Sequence, residues 1–179
     1  MNNMRAFIGI RIPSNEKIIE ILDLLKKEKG IKAVEPENLH INLKFLGEIS
    51  KSQYDEVTKI LKTIKERPFK VKVTGVGFFP SKSFIRVIFL KAEANELNKL
   101  QKQLEEKLEK IGFLKEKREF IPHITLARCK KKPDEKLVNK ILELAESLKL
   151  EVKVNKIELI KSTLNKAGPT YETLFEVEL

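Results

Sequence analysis

The sequence predicts an α+β protein: a bilobal pseudo-two-fold duplication, with two antiparallel sheets lining a central cleft and helices outside. Two observations carry this. The order strand–helix–strand–helix–strand occurs twice, offset by roughly 80 residues, the first copy over about 4–80 and the second over about 84–163. One further strand, at about 171–178, closes the chain, and no Gly/Ser linker or low-complexity tract separates the halves, so 1–179 is expected to be a single bilobal domain.

Residues 4–11 (MRAFIGIR) read as a strand, stopped by Ile12-Pro13. Ser14 is placed to cap a helix over about 15–29, with Ile18, Ile19, Ile21, Leu22, Leu24 and Leu25 on its buried side and Gly30 as its stop. A second strand, 39–46 (LHINLKFL), is closed by Gly47. Ser50 or Ser52 caps a helix to about 66, and an alternating strand over 69–79 ends at Pro80. The second copy gives a strand at 84–90, a helix at about 92–111, a strand at 121–128, a helix opened by Pro133 and running to about 148, and one long strand over 149–163.

Composition narrows the function. The 179 residues carry 41% hydrophobic and 35% charged side chains, ordinary for a globular protein. No apolar run approaches the roughly 20 residues that span a bilayer, and Arg11 interrupts the short apolar start, so the protein is expected in the cytoplasm, away from membranes. The single cysteine, Cys129, excludes an internal disulfide, and two histidines without helical i, i+4 spacing make a poor zinc site, so no metal or cofactor is expected. The net charge of +10 points to an anionic partner, nucleic acid first, although a Lys-rich solvated surface explains much of it.

The candidate chemistry lies on the strands. Alternation turns Ile41, Leu43 and Phe45 toward the helices and leaves His40, Asn42 and Lys44 on the opposite, polar face. In the second copy Ile124 and Leu126 face the helices while His123 and Thr125 share the other side. The repeat sets His40 opposite His123, and the chain has no other histidine. Two imidazoles across a groove suit metal-free phosphodiester hydrolysis, one accepting a proton from water and the other giving one to the leaving oxygen. Asn42 and Thr125 are placed to donate to phosphate oxygens. Phe7 and Arg86, opposite the core-facing residues of their strands, read as roughly equivalent positions offering an aromatic platform for a base and a cation for phosphate, with simple core packing equally open for Phe7. By the same alternation Ile85, Val87 and Phe89 face the core.

These segments, RAFIGI, ENLHINLKFLGEI, GVGFFPS, FIRVIF, PHITLARCK and ELIKSTLNKAGPTYETL, span nearly the whole chain. In this order they resemble the two-histidine phosphoesterase superfamily, defined by paired H-x-(T/S)-x motifs. Within it they are most similar to the archaeal and bacterial RNA 2′,3′-cyclic phosphodiesterases, historically named 2′-5′ RNA ligases. The resemblance implies that His40 and His123 are the catalytic pair, that Thr125 binds phosphate, and that Arg128 holds substrate, which strict alternation allows only with a bulge or twist in its strand. Tyr171 and Lys161 match the pattern too, with a structural role equally open. The departure is Asn42, where the motif has Thr or Ser.

The expected activity is hydrolysis of an RNA 2′,3′-cyclic phosphate end to a 2′-phosphate, with His40 as general acid, His123 as general base and the exchange of these roles left open. Reverse 2′-5′ ligation uses the same groups. The expected partners are RNA ends, tRNA fragments among them, and the expected state is a monomer. Two other readings stay open: a non-catalytic RNA-end binding protein, which Asn42 favours, and a phosphodiesterase for another small cyclic phosphoester.

Overall fold

The computed structural model describes residues 2–179. Among them the chain folds into nine strands, four α-helices and one 3₁₀ turn: β1 (Met4–Arg11), α1 (Glu16–Lys26), β2 (Ile31–Ala33), the turn (Pro36–Asn38), β3 (His40–Ile49), α2 (Lys51–Leu61), β4 (Phe69–Ser81), β5 (Phe84–Glu93), α3 (Asn95–Glu109), β6 (His123–Cys129), α4 (Glu135–Glu146), β7 (Leu150–Val154), β8 (Lys156–Asn165) and β9 (Gly168–Glu178). The α+β class and the antiparallel pairing are as expected. Asn15, rather than Ser14, caps α1 by accepting from the Ile18 N–H at 2.9 Å, and Ser50 with Gln53 forms a reciprocal capping box on α2. α2 ends at Leu61, short of the expected 66, and β3 continues past Gly47, whose φ of 74° bends the strand without ending it. None of the helices is long and apolar enough to cross a membrane.

The expectation of two sheets, one from each copy, is corrected. The strands form one sheet in the order β7-β4-β5-β6-β3-β1-β8-β9, with β2 alongside β6. Each half borrows from the other copy: β4 of the first copy pairs with β5, and β8 of the second pairs with β1. The halves join only at β3 and β6, through the single antiparallel pair Ile41–Ile124. The long strand expected over 149–163 is also two strands, β7 at one edge and β8 near the other, separated by Asn155 alone. Laid flat, the six strand spacings between them would measure roughly 29 Å, whereas one residue reaches about 3.6 Å. The sheet must therefore curl until its edges approach, and the Leu179 N–H closes on the Asn155 carbonyl at 2.9 Å.

The helices bury their apolar faces on one side of this sheet, α3 against β3, α4 against β4 and α1 against β2 and β6. Ile8, Ile18, Ile21, Leu25, Ile41, Ile88, Leu90, Leu97, Leu100 and Ile124 form a continuous core there. Phe7 and Phe89 are equally buried yet stand outside that core, on the concave side.

Candidate active site

The join that makes the sheet continuous also builds the site. Antiparallel pairing of Ile41 with Ile124 sets position 40 beside 125 and 42 beside 123, so His40, Thr125, His123 and Asn42 meet on the face opposite the core. Immediately beyond, β3 leaves β6 and β2 takes its place, with Ala33 opposite Ala127 and Lys32 opposite Arg128. The parting strands open a cleft with two arms that share Asn42, Phe45, His123, Thr125 and Arg128. One arm, about 440 Å³, is lined by His40, Phe7, Arg5, Lys32 and Tyr171. The other, about 670 Å³, is lined by Phe79, Arg86, Arg118, Phe120 and Ile121.

The histidines are held alike. The Nδ1–H of His40 donates to the Asn38 carbonyl at 2.8 Å, and that of His123 to the Ile121 carbonyl at 2.7 Å. A carbonyl only accepts, so each bond fixes the proton on Nδ1 in the neutral ring and leaves Nε2 as the free base. Aromatic rings steady both imidazoles. Phe7 lies under His40 at 4.8 Å between centroids, with Tyr171 edge-on at 5.2 Å. Phe89 and Phe79, stacked on each other at 4.1 Å, approach His123 at 5.2 and 5.1 Å. Gly9 and Gly77 make room for these rings: a methyl group at Gly9 would sit 3.3 Å from the Phe7 ring and 2.8 Å from the Ile41 carbonyl, and one at Gly77 would collide with Phe89.

Both histidines titrate below the ordinary value. Burial is the main cause for each, partly offset by the carbonyl bond; Arg11, His123 and Arg128 further disfavour the His40 cation, and Arg128 that of His123. A pair that works with one neutral and one protonated ring therefore reaches its best state on the acid side of neutrality. We expect kcat/KM to fall as pH rises through 7, because the acid loses its proton, and the kcat profile to lie at higher pH, because bound phosphate favours the cation. A pH–rate series measures both limbs.

Matching bulges in the two copies decide which side chains join the histidines. In β3, Ile8 pairs with Lys44 and Gly9 with Asn42, leaving Leu43 as the extra residue; in β6, Ile88 pairs with Ala127 and Phe89 with Thr125, leaving Leu126 extra. Beyond each bulge the faces exchange. Arg128 turns onto the cleft side, as its expected part requires, and Phe45, its counterpart, is 42% exposed in the cleft rather than turned to the helices. Lys44 is corrected the other way: it is 3% exposed, and its Nζ pairs with Glu105 Oε1 of α3 at 2.7 Å and donates to the Leu114 carbonyl at 2.6 Å. Its ammonium is thereby engaged inside the core rather than presented on the face where it was expected.

Phe89, assigned to the core by alternation, faces His123. The equivalence of Phe7 and Arg86 is off by one, since Phe7 pairs with Phe45 where Val87 pairs with Arg128. Phe7 is buried under His40 and Tyr171, so its ring orients an imidazole rather than lying open to a base. Arg86 stands at a bulge of β5 opposite Phe79 and Pro80, its guanidinium 4.9 Å over the Phe84 ring, at the wall of the larger arm. Lys161 lines neither arm. Phe79 and Phe89 were missed by sequence reasoning; their one signal, an aromatic pair flanking Gly77 across two strands, needs the register to be seen. Among the described residues, no group of three or more His, Cys, Asp or Glu comes together as metal ligands would.

A curled antiparallel sheet holding two carbonyl-clamped histidines on matched strands defines a class of phosphoester-handling protein, and the chain belongs to the 2'-5' RNA ligase superfamily, whose profile matches residues 13–166. Its relatives there include the RNA 2',3'-cyclic phosphodiesterases of Methanocaldococcus jannaschii, 40% identical over 97% of this chain and 99% of that protein, and of Aquifex aeolicus, 36% identical over 100% and 99%. Among solved structures, a Thermus thermophilus protein superposes with a TM-score of 0.82 at 29% identity, covering 98% of both chains. Escherichia coli LigT complexed with 3'-AMP shares the fold, with a TM-score of 0.76 at 22% identity over 100% of this chain and 99% of that one.

Proposed function

We propose that the chain opens 2′,3′-cyclic phosphate ends of RNA to 2′-phosphates with the His40–His123 pair, without a metal. The observation that supports this best is the shared clamp: two imidazoles, each with its Nδ1 proton given to a carbonyl two residues back, flank one floor that also carries Thr125 and Arg128. The relatives' activity agrees with it.

In this reading Arg128 and Thr125 hold the non-bridging phosphate oxygens and strengthen their hold as charge gathers there. His123 Nε2 takes a proton from water as the water oxygen bonds to phosphorus. The P–O3′ bond breaks, and protonated His40 gives its proton to O3′, leaving a 2′-phosphomonoester and a 3′-hydroxyl. Burial disfavours the cation of both rings, so either is a strong donor once charged, and His40 is assigned the acid role here. With a 5′-hydroxyl in place of water the same transfers, in the same direction, join the two RNA ends through a 2′-5′ linkage and free the 3′-hydroxyl. The setting is the cytoplasm, the enzyme a monomer and tRNA fragments among its substrates.

A bridging sulfur at the 3′ position tests the division of roles, since a thiolate leaves without an acid. With a 3′-thio cyclic substrate, His40→Ala is expected to recover most of the rate it loses on the oxygen substrate, and His123→Ala to recover none. Recovery by His123→Ala instead reverses the roles.

A further inference from the structure

The buried ion pair that removes Lys44 from the phosphate site has a position of its own in the molecule. Lys44 Nζ binds Glu105 Oε1 at 2.7 Å and the Leu114 carbonyl at 2.6 Å, and Glu105 Oε2 accepts from the Glu116 N–H at 2.7 Å. Three segments are thereby tied together: β3, which carries His40; α3; and residues 113–122, which form neither helix nor strand and run directly into His123. Both side chains are nearly inaccessible, at 2% and 9% exposure. Replacing such a pair by apolar residues of the same volume is often neutral or stabilising, so its burial by itself is weak evidence of a role in stability. The tied segment is also the outer wall of the larger arm, supplying Arg118, Phe120 and Ile121 to face Phe79 and Arg86. Rings interleaved with guanidiniums, in continuity with His123, Thr125 and Arg128, form a surface suited to stacking bases and tracking a phosphate backbone.

We infer that Lys44 and Glu105 are positioning residues that hold segment 113–122 in place as the wall of a subsite for the RNA strand preceding the cyclic phosphate. The inference rests on the proposed function. The two residues act through the wall, not on the reacting atoms, so their effect falls on substrates long enough to reach it.

The test uses the full chain with Lys44→Met and Glu105→Leu combined, which fills the space and removes both polar tethers, together with Arg118→Ala in the otherwise unchanged protein. Substrates are a nucleoside 2′,3′-cyclic phosphate and an oligonucleotide of several residues with the same end. The paired variant is expected to raise KM for the oligonucleotide about tenfold, the scale of one lost base stack. Its kcat stays within about twofold and its turnover of the mononucleotide is unchanged, because the Ala92 N–H bond to the Pro122 carbonyl at 3.4 Å keeps the Ile121 clamp on His123 in place without Lys44 or Glu105. Trypsin is expected to cut faster at Lys115, Lys117 or Arg118, and Arg118→Ala to reproduce part of the KM rise. An unchanged oligonucleotide KM, or an equal loss on both substrates, overturns the inference. If the wild type turns over neither substrate, the proposed function fails by itself. The positioning claim is then decided by the Kd of an oligonucleotide ending in a 2′-phosphate, which must weaken in the paired variant.

Discussion

His40→Ala and His123→Ala are each expected to lower kcat on an RNA 2′,3′-cyclic phosphate by roughly 10²–10⁴-fold, the span that a positioned acid or base contributes. The two should not add. With either group gone the concerted proton transfer is already lost, so the double variant is expected to fall little below the worse single one. KM should move far less than kcat, because Thr125, Arg128 and the rest of the cleft lining are untouched. Folding is an independent control. His40 and His123 are partly exposed and stand on the concave side, outside the main core, so each variant should unfold close to the wild-type midpoint. A single-turnover rate for all three variants checks this directly. If either histidine variant retains a near-wild-type rate, the acid–base assignment is wrong.

The second large effect is on stability. Lys44→Ala leaves the Glu105 carboxylate buried without its cation, and breaking a buried pair in this way costs about 3–5 kcal/mol. Against a total of about 5–15 kcal/mol for a typical domain that is a large share. For a chain of this size it corresponds to a Tm lowered by roughly 6–20 °C. Glu105→Ala is expected to do comparable damage, since it strands the Lys44 ammonium and frees the Glu116 N–H. The combined Lys44→Met, Glu105→Leu variant should recover most of the loss, because no charge then remains to be satisfied. Chemical denaturation of the wild type and the three variants measures these differences. A Lys44→Ala protein as stable as the wild type would mean that the pair is not buried as described.

Much of this was legible in the sequence. The period of the apolar residues gave the order of strands and helices, and the two histidines stood out as polar residues at matching places in otherwise apolar strands. What alternation could not show was where it breaks. One extra residue at Leu43 and one at Leu126 leave composition and period almost unaltered, yet they turn Lys44 into the core and bring Phe45 and Arg128 to the cleft, and the extra residue Arg86 in β5 does the same for Phe89. None of these bulges carries a glycine to announce it. The sheet count failed for a similar reason. Asn155 is a single residue without Gly or Pro beside it, so 149–163 reads as one strand, while the chain passes there from one edge of the sheet to the other. β2 is three residues long, too short for any period, although it forms the side of the cleft beyond the β3–β6 join.

The proposed opening of a cyclic phosphate on one side only, by two histidines and without a metal, has a direct readout in the end group of the product. The wild-type protein is incubated with an oligonucleotide ending in a 2′,3′-cyclic phosphate, in excess EDTA, and the end group is identified by phosphorus NMR. Complete conversion to the 2′-phosphate is expected. An unchanged cyclic end, or a 3′-phosphate product, would contradict it.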